Sequence, residues 1–388
     1  MTESLMKRLL VLSLLAACGD SGETADPPLD PDAGIDAPPV PTTPRAVVVA
    51  GDFNPGSPGV MSVVDVAAGT IQTNVAPAGA IGEDPILRQF GDELLVVNRA
   101  SGNNVTILDA STFTLVEQLG TGTGSNPQDV AVVGDTLFVA TFGGTGLVAL
   151  TRGSSTITPI DLSVDDPDGK PNCSSVYRKG PNLFVACGLL DDTMMYLPPR
   201  GPAKVYVVSV ATKQIVDTLT LSTKNPIALF EEIPMFAPNA GDLVLPTVDF
   251  NTGEGCVERI ATTTPDAAGC IVINDDLGNF AGRVAFHAVE FTGPVAPIVI
   301  PPMMYAVVPG TDFVSSDLIP YEMASATVMG KLNTAGVIGD VATCADGTIM
   351  MSDTTMASSG VRIFTGGALG APLAVGLRPL STHGLVCY

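Results

Sequence analysis

The chain has no tryptophan and only 2 histidines among its 388 residues. The first absence excludes a tryptophan-derived quinone cofactor and the Trp-Asp signature of WD repeats. Two histidines cannot build a multi-histidine metal centre. Cations are scarce too: 18 Lys+Arg stand against 40 Asp+Glu, a formal net charge of -22. A polyanion would be repelled and no basic patch exists to release its counterions, so nucleic acid is excluded as a partner. No Cys-x-x-Cys, Gly-x-Ser-x-Gly elbow, His-Glu-x-x-His, P-loop or dinucleotide fingerprint occurs, which removes the motif-bearing hydrolases, metalloproteases and nucleotide binders. What remains is an apolar chain, 46% hydrophobic, which excludes wholesale disorder. Its length is near the limit of one ordinary core and predicts two domains or a repeat architecture.

The N-terminus carries an export address. Lys7-Arg8 precedes an apolar run over residues 9–15, and Leu15-Ala16-Ala17-Cys18 follows. A basic segment, a short apolar segment and small residues make a secretory signal. The run is too short for a membrane-spanning helix, which needs roughly 20 residues. Cys18 after Leu-Ala-Ala resembles a bacterial lipoprotein box. The resemblance implies cleavage after residue 17 and acylation of Cys18 with palmitate-type chains, each buried CH₂ contributing about 0.8 kcal/mol. The alternative is an ordinary secretory signal with a chance cysteine. Glu3 is unusual in such a basic segment, and Met6 is the more natural start.

Residues 18–45 hold six carboxylates (Asp20, Glu23, Asp26, Asp30, Asp32 and Asp36) among prolines. Such a composition cannot bury a core, so these residues read as an extended, disordered tether. Gly19 replaces the Asp that retains enteric lipoproteins in the inner membrane. The expected location is the cell envelope, lipid-anchored, at the outer membrane.

From residue 46 to 388 short apolar runs alternate with Gly/Asp/Asn/Pro turns. Aligning the run after each turn gives anchors at Val47, Leu95, Phe138, Phe184, Val244, Tyr305 and Met350. Seven units of that length match four-stranded propeller blades, and no stretch shows helical apolar spacing. Asn126-Pro127, Asn225-Pro226, Val96-Val97-Asn98 and Val105-Thr106-Ile107-Leu108-Asp109 then resemble the YVTN family of propeller repeats, with Asp65 in the same Asp slot. The likeness is good over residues 46–230 and fades after about 240. The expected fold is all-β: a seven-bladed β-propeller, with six or eight blades as alternatives. The C-terminal strand has no blade after it, so it should complete blade one.

Six cysteines remain besides Cys18, which allow 15 pairings. Cys173 and Cys187 lie symmetrically about Gly180, and Cys256 and Cys270 flank a turn in the same way, so each pair suits a hairpin disulfide. Cys344 and Cys387 pair by elimination.

Strand alternation puts the loops between strands two and three, and between blades, on one face. That face collects Asp52, Glu83, Asp84, Asp165, Asp166, Asp168, Asp191, Asp192, Asp249, Glu254, Asp275, Asp276 and Asp353. A negative rim attracts cations or basic partners; the alternative is that these are simply turn residues. Asp165, Asp166 and Asp168 are candidate calcium ligands, though they lack an EF-hand's length. His383 falls near the channel mouth as a candidate base or ligand, against a structural histidine, and His287 lies in Val-Ala-Phe-His. Met194-Met195 and Met303-Met304 read as core or loop residues before soft-metal ligands. The expected function is a monomeric, non-catalytic scaffold presenting its acidic face to a protein, glycan or cation. The alternative is a lactonase-like hydrolase using His383 or a rim carboxylate, with or without a divalent metal. A third reading is a structural spacer.

Overall fold

The computed structural model describes residues 44–388 except 288–289, 292–297, 300–301, 313, 333–335 and 381. The expected signal, Cys18 and nearly all of the expected tether lie outside the described residues. Seven four-stranded antiparallel sheets follow one another, each a blade. Their first strands contact one another around an axis. Seven blades are present, rather than six or eight, and no described helix is long and apolar enough to cross a membrane.

Blade two shows why these residues form such sheets. Its second strand, Glu93–Asn98, is buried at five of six positions. Side chains alternate between faces, so Leu94 and Val96 pack with Val47, Val49 and Met61 of blade one. Leu95 and Val97 pack with Val130, Leu137 and Val139 of blade three. A strand squeezed between two neighbours must be apolar on both faces. The fourth strand, Leu115–Gly120, is mostly exposed. Gly91, Gly134 and Gly180 all take φ 55 at the same hairpin turn, a left-handed geometry that glycine adopts at no steric cost.

The ring closes where expected. Leu385–Cys387 pairs with Arg45–Ala50, setting Val386 opposite Val47, and so completes blade one. The closing strand is three residues long, and His383, just before it, has φ 61.

All three expected disulfides are present. Cys173 and Cys187 are direct register partners, and Cys344–Cys387 ties blade seven to the closing strand. Cys256 and Cys270 are joined but not directly opposed: Cys256 faces Ile273 and Cys270 faces Glu258, because two bulges shift the register.

Candidate functional site: the loop face and the polar axis

First strands run away from the loop face and second strands return to it. The loops between second and third strands therefore share a face with the connections between blades, as the sequence predicts. Arg45, which opens the second strand of blade one, bonds Tyr388 at the opposite face. The described chain thus begins on the far side from the loops.

The acidic loop residues divide into two sets. Several are buried and bonded inward rather than forming a uniform negative rim. Glu83 accepts the Ser101 hydroxyl at 2.6 Å and the Ser101 amide at 3.1 Å, and also bonds the Gly56 amide. The Ser101 hydroxyl, foremost, holds its carboxyl below the usual range. Asp84 pairs with Arg99 at 2.5 Å, Asp249 with Lys224 at 2.9 Å, Asp353 with Arg362 at 2.6 Å and Asp192 with Lys170 at 3.3 Å.

The candidate calcium trio is not brought to one point. Asp165 accepts the Tyr206 hydroxyl at 3.1 Å. Arg200 reaches Asp168 and Asp191 at 2.7 Å each and Asp166 at 3.6 Å. The guanidinium stands where a shared cation would. Burial, and then Asp168, push the Asp166 carboxyl up to about 6.

The second set is open. Asp52, Asp165, Glu254, Asp275 and Asp276 are exposed, and among the described residues none forms an ion pair. Beside them stand apolar side chains that sequence reasoning did not weigh as part of a binding surface. Phe53, Met195, Tyr196, Phe250, Val314 and Met356 are exposed on the second-to-third-strand loops of blades one, four, five, six and seven. Tyr196 is 91% exposed, Met195 78% and Phe250 61%. Around Phe250 the surface is built firmly. Its ring meets Phe280 edge-on at 5.5 Å, and Asn274 bonds Gly253 and Gly255 of the same loop.

The axis holds a chain of polar partners, one blade handing to the next, which the sequence reading missed. Arg88 of blade two grips Asp129 of blade three at 2.8 and 2.9 Å. Asp129, fully buried, also accepts the Ser175 hydroxyl of blade four at 2.7 Å, and Ser175 accepts the Phe230 amide of blade five at 2.8 Å. Arg283 of blade six pairs with Glu231 of blade five at 2.9 Å and Asp340 of blade seven at 3.3 Å. Asp340 accepts the Leu385 amide of the closing strand at 3.0 Å. Burial pushes its carboxyl up to about 6, against the opposing pull of Arg283.

His383 does lie at the axis, but it is buried and engaged. Its Nε2 accepts the Leu229 amide at 3.0 Å, its Nδ1 meets Arg283, and its carbonyl accepts the Leu87 amide at 2.8 Å. Ser175 bonds Asp129 and not His383, so no described serine–histidine pair stands ready as a nucleophile. His287 is on the other face, half-buried, where it lines a cavity of about 250 Å³ with Tyr305 and Asp346.

No protein-family model and no curated protein sequence matches the chain. Solved structures share its fold. A Bacteroides uniformis protein provisionally described as a 6-phosphogluconolactonase superposes with TM-score 0.56 at 13% identity, over 86% of this chain and 98% of its own. A Bacteroides fragilis protein of the same description gives 0.55 at 13% identity, over 89% and 97%. The dihydro-heme d1 dehydrogenase NirN gives 0.52 at 14% identity, over 85% of this chain and 63% of its own. At such identities the likeness is one of fold.

Proposed function

We propose that the chain is a lipid-anchored, non-catalytic propeller of the cell envelope whose loop face docks a protein with a basic and apolar surface. The carrying observation is the loop face itself, where exposed apolar tips stand beside carboxylates that no described cation neutralises. Exposed apolar groups rimmed by charge mark docking surfaces, and unpaired acids select a basic counterpart. A glycan or a free cation are the other ligands the acidic loops suit.

The test compares wild-type chain with a Met195→Ser, Tyr196→Ser, Phe250→Ser variant and an opposite-face control, each cross-linked in intact envelopes. A partner held by wild type and control but lost from the loop-face variant supports the reading. A partner retained by the variant refutes it. Cys18→Ser should move the protein to the soluble fraction; continued membrane attachment would refute the anchor.

A lactone hydrolase is the second reading, and one observation favours it: Arg88, Arg283, His383 and Asp340 converge on the axis. Their pairing argues for structure, since each polar group already has a partner. Turnover of a sugar lactone by purified chain, lost in His383→Ala, would overturn the non-catalytic reading.

A further inference from the structure

We propose that the corner between the rings of Phe250 and Phe280 seats a lysine side chain of the docked protein, with Glu254, Asp275 and Asp276 supplying the countercharge. This rests on the docking reading and names the group that the loop face recognises.

The corner is built from two sides. Phe250 lies in the loop between the second and third strands of blade five, Leu243–Pro246 and Cys256–Ala261. Phe280 lies in the connection from the fourth strand, Asp266–Ile273, to the first strand of blade six, Arg283–His287. Within the Phe250 loop, Asp249 turns inward to Lys224 at 2.9 Å and accepts the Asn251 amide at 3.0 Å. Phe280 follows the helical turn Asn274–Leu277, whose Leu277 is buried with core residues of blades five and six. The Phe280 amide donates to the Asn279 side chain at 2.9 Å, which itself donates to the Pro309 carbonyl of blade six at 2.9 Å. Asn274 stitches the two segments together. Its side chain donates to the Gly253 carbonyl at 3.2 Å and its amide to the Gly255 carbonyl at 3.0 Å.

The rings meet at 88° with centroids 5.5 Å apart, and Phe250 is 61% exposed. An aromatic face attracts a cation placed within about 6 Å of its centroid, so one cation in the corner is in reach of both rings. A right-angled corner suits a compact ammonium, whereas a planar guanidinium stacks flat on a single ring.

Charge selects the same occupant. Glu254 is in the Phe250 loop, and Asp275 and Asp276 are in the turn before Phe280. All three are exposed, and among the described residues none forms an ion pair. The Glu254 carboxylate meets only the Thr252 hydroxyl of its own loop, at 3.4 Å. Lys224, the cation that reaches this loop, is already held by Asp249. Carboxylates alone would attract any cation. A hard metal ion takes oxygen ligands, while an alkylammonium gains from the rings as well.

The probe is a Gly/Ser peptide carrying four lysines, compared with its arginine and Nζ-acetyllysine counterparts, each titrated into the full chain by fluorescence anisotropy. The lysine peptide should bind most tightly, and the acetylated one at least about tenfold more weakly, since acetylation removes the charge. Phe250→Leu keeps an apolar side chain and removes the ring face. It should weaken the lysine peptide about tenfold, and Phe250→Tyr should restore it. Phe250 is exposed, so both variants leave the core untouched. Binding unchanged in Phe250→Leu, or an arginine peptide that binds as tightly, overturns the proposal. The two readings fail separately. An envelope partner held by wild type and by Phe250→Leu alike, but lost from the triple loop-face variant, removes the lysine seat and leaves docking standing. Phe250-dependent peptide binding by a chain that cross-links no partner supports the seat and counts against docking.

Discussion

Arg88 and Asp129 meet in a two-pronged ion pair across the boundary between blades two and three, Nε to Oδ1 at 2.8 Å and Nη2 to Oδ2 at 2.9 Å. Removing one partner strands the other charge in a dry axis, which costs far more than the pair itself contributes. Asp129→Ala should lower unfolding stability by about 3–5 kcal/mol. Replacing both residues with apolar ones of similar size should cost markedly less. Urea unfolding of the two single variants and the double variant checks this; additive losses would show that the residues do not act as a pair.

Asp340 makes stability depend on pH in an unusual direction. Burial pushes its folded carboxyl up to about 6 from the ordinary 3.8, outweighing the pull of Arg283. The folded state therefore holds this proton more tightly than the unfolded state. The contribution is fully present below about pH 4 and is lost as pH rises through about 6, amounting to at most about 3 kcal/mol. Asn at this position cannot titrate. The stability of wild type relative to Asp340→Asn should thus fall between pH 4 and pH 7, read from urea midpoints. Parallel curves would remove Asp340 from the account.

The disulfides should rank by the chain they enclose. Cys344–Cys387 spans 43 residues and Cys173–Cys187 spans 14. Loop-closure entropy assigns them about 4 and about 3 kcal/mol. Cys387→Ser should accordingly cost more stability than Cys187→Ser in matched unfolding experiments. Deleting residues 379–388 goes further, baring the Arg45–Ala50 strand, of which five residues are buried. Unpaired strand edges seed aggregation, so the truncated chain should associate in light scattering where the full chain does not.

Blades and cysteines were legible because their cause is local. Apolar runs such as Leu94-Leu95-Val96-Val97 answer to two neighbours at once, and Cys173 and Cys187 sit symmetrically about their own turn. The polar axis was not legible, since each charge is matched by a residue far along the chain. A partial signal did exist: Asp129-Val130-Ala131 and Asp340-Val341-Ala342 repeat one motif, each Asp carboxylate accepting the following Val amide at 2.9 Å. It marks the position without revealing Arg88 or Arg283. The loop acids misled for the converse reason. Glu83, Asp249 and Asp353 look like rim charges in sequence, and only the folded loops show them turned inward.

Arg200 is the cation that Asp166, Asp168 and Asp191 share, at 3.6, 2.7 and 2.7 Å. In Arg200→Met the three carboxylates repel one another, and the fully screened Asp166 side chain must meet that repulsion with no countercharge. Its carboxyl already titrates at about 6 and should move higher in the variant. Below that range Asp166 is protonated in the folded state and its share of the repulsion is relieved, while Asp168 and Asp191, held below the usual carboxylate range by their hydrogen bonds, stay charged; above it a third charge is forced into the buried site. The variant should therefore be less stable than wild type at pH 5, and the deficit should grow as pH rises through and above 6 towards pH 7. Thermal unfolding across that interval measures it. A loss equal at both pH values would mean that Arg200 does not act through the Asp166 charge.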